Sequence, residues 1–127
     1  MTQAVSMVFF PAQAGAHDLD WAREALGEQG LTVATTPRGL EVSWGDDGPL
    51  LRVAFARGDH VAEEAAEIAE GGEFEDAMRG CAARFEIAID DLDEALDEMN
   101  TLIEVQATLQ QATAGYLFNS WNRELSA

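Results

Sequence analysis

Between residues 90 and 100 the chain reads DDLDEALDEMN, six carboxylates in nine positions with no base among them. Carboxylates at this density can ligate a hard cation, so a calcium loop is the first chemistry to test. An EF-hand loop needs oxygen ligands at alternate positions and a glycine at the sixth for its sharp turn. With Asp91 as first ligand and Asp93 as third, the fifth position is Ala95 and the sixth Leu96, so the pattern fails. A helix start fits instead. Asp90 is placed to cap, and Asp91, Asp93 and Glu94 fall in a first turn whose unpaired N–H groups favour negative charge.

The other reactive side chains are few. His17 and His60 are the only histidines, neither has a second histidine at ligand spacing, and no zinc or other metal site is expected. Asp59-His60 reads as a capping dipeptide at a helix start. Cys81, the single cysteine, shares a stripe with Phe74, Ala77 and Met78, where a thiol behaves as a small buried hydrophobe. It has no partner for an internal disulfide, which suits a reducing compartment. Neither Gly71-Gly72 nor the segment Gly45 to Gly48 has the lysine or the strand–loop–helix setting of a phosphate-binding loop. No catalytic residue and no cofactor is assigned.

Charge is the outlying property. Twenty-four acids against seven bases, all arginine, give a net charge of −17. This argues against nucleic acid and anionic membrane surfaces as partners, since both require a positive patch. The acids are also unevenly placed: residues 1–57 carry seven acids and four arginines, residues 58–127 seventeen acids and three arginines. Two helical stripes concentrate them, one with Glu63, Glu64 and Glu67, the other with Asp93, Asp97 and Glu104. Asp97 and Glu104 lie beyond the first turn, where the dipole offers nothing, and like charges at the spacings of both stripes repel. The stripes are therefore expected to be a docking surface for a basic protein partner, against the plainer reading of solubility or salt adaptation.

The elements that position these groups are short and clearly patterned. VSMVFF (5–10) is a buried strand and PAQAGAHD a turn; Asp18 caps a helix that runs through Gln29 and stops at Gly30. LTVATT (31–36), LEVSW (40–44) and LLRVAFA (50–56) form an antiparallel meander, with Leu40, Val42 and Trp44, and Leu51, Val53 and Phe55, alternating toward a core. A helix from Asp59 or His60 breaks at Gly71-Gly72 and resumes through Cys81. Phe85, Ile87 and Ile89 alternate as a strand. Leu92, Leu96, Met99, Leu102, Ile103, Val105 and Leu109 then give a long helix one wide inward face up to about Thr113. YLF (116–118) is the final strand, ahead of a polar tail.

At 127 residues and 47% hydrophobic, the chain has enough apolar material for one sizeable core, and a single domain over 1–127 is expected. The predicted class is α+β, in the order β-α-β-β-β-α-β-α-β, with a mostly antiparallel sheet and helices packed on one face, so that both acidic stripes share one side. No run of 18 or more apolar residues exists and the N-terminus lacks the basic and apolar pattern of a leader, so a soluble cytoplasmic protein is expected. Functionally, the residues point to a non-enzymatic acidic binding module of the inhibitor, immunity or chaperone type. The alternative is a small enzyme or ligand-binding protein with a pocket at the sheet edge near Trp44, His60 or Trp121, two of whose indoles lie where burial is only partial.

Overall fold

Seven antiparallel strands form one open sheet in the order β2-β3-β4-β5-β1-β6-β7. The computed structural model describes residues 4–11, 17–37, 39–44, 47–89, 92–97 and 99–126, with 44 and 47–49 described by their backbone only. Along the chain come β1 (Ala4–Phe10), α1 (Leu19–Glu28), β2 (Thr32–Thr36), β3 (Gly39–Trp44), β4 (Asp47–Arg57), α2 (Asp59–Ala69), α3 (Glu75–Met78), β5 (Ala83–Ile89), α4 (Leu92–Asp97), α5 (Met99–Thr113), β6 (Tyr116–Asn119) and β7 (Glu124–Ser126). The α+β class and the β2-β3-β4 meander agree with the sequence reading. Asp18 caps α1 as expected, its Oδ1 accepting the Trp21 N–H at 2.9 Å.

The helices do not share a face, which corrects the expected layering. Alternate residues of β1 enter two separate cores. Ala4, Val8 and Phe10 join Leu26, Phe85, Ile87, Leu102, Val105 and Leu109 on the first face, covered by α1, α4 and α5. Met7 and Phe9 join Val61, Ala65, Ala69, Met78 and Cys81 on the second, covered by α2 and α3. The physical reason lies in β1 itself. A strand with polar residues on one face alternates, whereas a nearly unbroken apolar run is wet on neither side. VSMVFF therefore needs a helical layer above and below it.

One further expectation changes. The polar tail beyond Phe118 is not wholly irregular, because residues Glu124–Ser126 return as β7 against β6, with Arg123 at a left-handed φ of 56° in the turn. Over the expected long helix, residues 92–97 (α4) and 99–113 (α5) are helical, and residues 90, 91 and 98 lie outside the described residues, including the Asp90 cap. On the first face a polar seam ties α5 to the sheet. Ser6 Oγ, fully buried, donates to Asn119 Oδ1 at 2.8 Å, and Gln106 Nε2 donates to Ser6 Oγ at 2.9 Å. Each member has a partner, so the seam fixes register without leaving a desolvated polar atom unpaired.

Candidate functional site

Because α2 and α4–α5 lie on opposite faces, the two acidic stripes cannot form one surface. Glu63, Glu64 and Glu67 belong to the second face, Asp93, Asp97 and Glu104 to the first.

Within the α2 stripe the three glutamates also differ from one another. Val61, Ala65 and Ala69 bury one side of α2, which leaves Glu63 and Glu67, one turn apart, exposed. Glu64 sits at the flank and reaches the sheet, where its Oε2 accepts from Nη1 of Arg84. The Arg84 Nε donates to Glu86 Oε2 at 3.0 Å, and the guanidinium lies 5.7 Å from the centre of the Phe9 ring. Arg84 is a nearly buried charge on β5, 9% exposed. Burial alone would lower its pKa. Hydrogen bonds and charges from Glu64 and Glu86 overcome that cost and hold it above the ordinary arginine value. Glu64 is thus a clamp between α2 and the sheet rather than a group free for docking.

On the first face the arrangement is different. α5 buries Thr101, Leu102, Val105 and Leu109. Leu102, Val105 and Leu109 project within roughly 60° of one another around a helix, while Ile103 projects roughly 100° from Leu102. The predicted wide face is therefore too wide to be buried whole. Leu96, Met99 and Ile103 stand 37%, 43% and 48% exposed. With Leu50 of β4 they are the exposed large hydrophobics among the described residues. Three of these four fall within residues 96–103, so the exposure is a patch and not a scatter. Asp93 and Asp97 are exposed one turn apart on α4 with Leu96 between them in sequence. Glu104 is half-buried and borders a groove of about 560 Å³ between α1 and α5, with Trp21, Glu28 and Thr108 on its walls.

The candidates for catalysis remain apart. Cys81 is fully buried, its Sγ set 3.6 Å from the Ala77 carbonyl oxygen, and desolvation pushes the thiol up to about 11. At neutral pH it stays protonated and carries no nucleophilic thiolate. His60 is exposed in the first turn of α2, whose N-cap is Gly58, so the capping expected of Asp59-His60 is not made by a side chain. His17 is half-buried with its ring 4.7 Å from Trp21. Among the described residues no group of three or more His, Cys, Asp or Glu side chains is arranged to hold a metal ion.

A groove of about 260 Å³ crosses the uncovered part of the second face, over Val5, Thr36, Ala54, Glu86 and Ala88. Neither His60 nor Trp121 lines it. Trp121 is half-buried against the first core, and the side chain of Trp44 lies outside the described residues. Comparison of the chain with models of protein families, with curated proteins and with solved structures gives no match.

The sequence reading missed Leu96, Met99 and Ile103 as surface residues. Their signal was the angular width of the apolar set, which exceeds what one helix can bury against one sheet.

Proposed function

We propose that the protein is a non-enzymatic docking module that binds a basic, amphipathic segment of a partner protein through α4 and α5. Leu96, Met99 and Ile103 supply an apolar stripe, and Asp93, Asp97 and Glu104 supply the negative field around it. The observation that carries the reading is the concentration of exposed large apolar side chains in this one short stretch, next to carboxylates. An interface patch combines an apolar centre with a polar rim, and charge complementarity chiefly raises the association rate. Glu63 and Glu67, on the opposite face, add only to the long-range field.

A direct test uses 15N-labelled protein and a helix-forming peptide with arginines on one face and leucines on the other. A control peptide carries glutamate in place of arginine. Shifts confined to residues 92–104 with the first peptide, weakening as salt rises, are expected. Met99→Ser with Ile103→Ser should reduce that affinity at least tenfold while leaving the melting temperature nearly unchanged, since both side chains are already wet. Equal binding of both peptides, or an affinity indifferent to the serine pair, rules the surface out.

A further inference from the structure

An open sheet has two free edges, and this chain treats them differently. β7 is three residues long and carries Glu124 directly after Arg123, a short and charged edge of the kind that resists pairing. β2 has none of these protections. Its five residues, Thr-Val-Ala-Thr-Thr, pair with β3 along their whole length without a bulge. Four of the five are β-branched, and no charged residue occurs between Gln29 and Pro37 in a chain of net charge −17.

The register fixes which backbone groups face outward. Thr36 pairs with Gly39 across a two-residue turn, so Thr32, Ala34 and Thr36 exchange hydrogen bonds with β3. The N–H and C=O of Val33 and Thr35 then point away from the sheet, where β2 has no neighbouring strand among the described residues. The positions on either side add no further donor, because the Leu31 N–H is bonded to the Leu26 carbonyl at 3.4 Å and Pro37 has none.

We propose that β2 pairs antiparallel with β2 of a second copy of this chain, about a two-fold axis through Ala34, joining the two seven-stranded sheets into one. Only this register sets Val33 opposite Thr35 of the other copy twice over, so that all the outward groups of both residues are used. Centring on Val33 would call on the occupied Leu31 N–H, and centring on Thr35 would call on Pro37. Ala34 then faces its own copy in a non-hydrogen-bonded pair, where Cα atoms approach to about 4.5 Å and a small side chain fits. Thr32 faces Thr36 on the same side, a cross-strand pair that favours sheet formation.

Charge placement agrees with this choice of edge. The excess of acids lies in residues 58–127, and β3 and β4 separate β2 from β5, the nearest strand of that half. Two copies meeting at β2 therefore keep their densest charge apart, yet their net charges still repel. Added salt should strengthen this contact, whereas it should weaken the docking proposed for α4 and α5, so the two readings stand or fall separately.

The test is sedimentation equilibrium of the intact chain over a range of concentrations at low and high salt. The apparent mass should rise from 13.7 kDa toward twice that value, and the midpoint concentration should fall several-fold at high salt. Thr35→Pro, which removes an outward N–H and leaves the β2–β3 hydrogen bonds in place, should keep the protein monomeric. Ala34→Cys should form a disulfide-linked dimer under mild oxidation, while Thr32→Cys, which faces Thr36 and not itself, should not; Cys81 is buried and does not compete. A mass that stays monomeric at high salt overturns the proposal. So does association that persists in folded Thr35→Pro, or cross-linking as fast through Thr32→Cys as through Ala34→Cys. If Thr35→Pro fails to fold, the comparison of the two cysteine variants decides alone.

Discussion

Arg84 is the group whose removal tests the packing of α2 most sharply. Its side chain is 11% exposed, while the partner carboxylates of Glu64 and Glu86 are 44% and 34% exposed. Arg84→Met keeps the stem over Phe9 and deletes the charge. Losing one partner of a fully buried pair costs about 3–5 kcal/mol, because the other charge is stranded. Here the stranded carboxylates can rehydrate, so the expected cost is smaller, about 1–3 kcal/mol. Glu64→Gln or Glu86→Gln alone should cost less than about 1 kcal/mol, since the guanidinium retains the other carboxylate. The double variant is different in kind. It leaves a nearly buried cation without a counter-charge, and its cost should exceed the sum of the two single costs by at least about 1 kcal/mol. Adding Arg84→Met to that double variant should recover most of the loss. Urea unfolding at neutral pH with constant m-values measures all five proteins. Additive glutamine costs, or an Arg84→Met protein within about 0.5 kcal/mol of the parent, would refute the clamp.

The remaining predictions concern single sites. Between pH about 9, where an unfolded thiol loses its proton, and about 11, where buried Cys81 does, the folded chain holds the extra proton, so stability should fall as pH rises through that window. The total is on the order of 2–3 kcal/mol, and an unchanged slope in Cys81→Ala would show that another group is responsible. Two glycines should respond with opposite signs. A Cβ at Gly39, whose φ is +144°, would stand 2.3 Å from the Val53 carbonyl oxygen, and Gly39→Ala should cost at least about 2 kcal/mol. Gly27 in α1 has no heavy atom within 4 Å of that position, so Gly27→Ala should stabilise by about 0.5–1 kcal/mol, both read from thermal melts. Glu63→Gln with Glu67→Gln should raise stability by a few tenths of a kcal/mol by relieving repulsion one turn apart, unlike any change at Glu64. A loss from that pair would mean that one of them has a structural role.

Much of this architecture is local and so was legible in the sequence. Asp18 and Gly30 bracket α1 because a cap and a left-handed stop act over four residues. Leu40 and Val42, and Leu51 and Val53, alternate because a sheet surface has period two. Cys81 is buried, as its place among apolar residues suggested, although α3 ends at Met78 and the helix expected to run through Cys81 stops short of it. The run VSMVFF also held the two-layered covering of the sheet, since only a strand buried on both faces reads that way, although the sequence reading placed every helix on one side. Tertiary structure alone decided the rest. The insertion of β1 between β5 and β6 joins residues more than 70 positions apart, for which no local period exists. It sends α2 and α4–α5 to opposite faces and so divides acids that look alike in sequence. Glu64 becomes a clamp because β5 brings Arg84 beneath it, while Glu63 and Glu67 stay wet. Likewise the periodicity of α5 names every apolar position but not how much of the circumference the sheet can cover. Leu102 and Val105 point into the core, and Met99 and Ile103 remain at the surface because a helix resting on a sheet meets it along one side only.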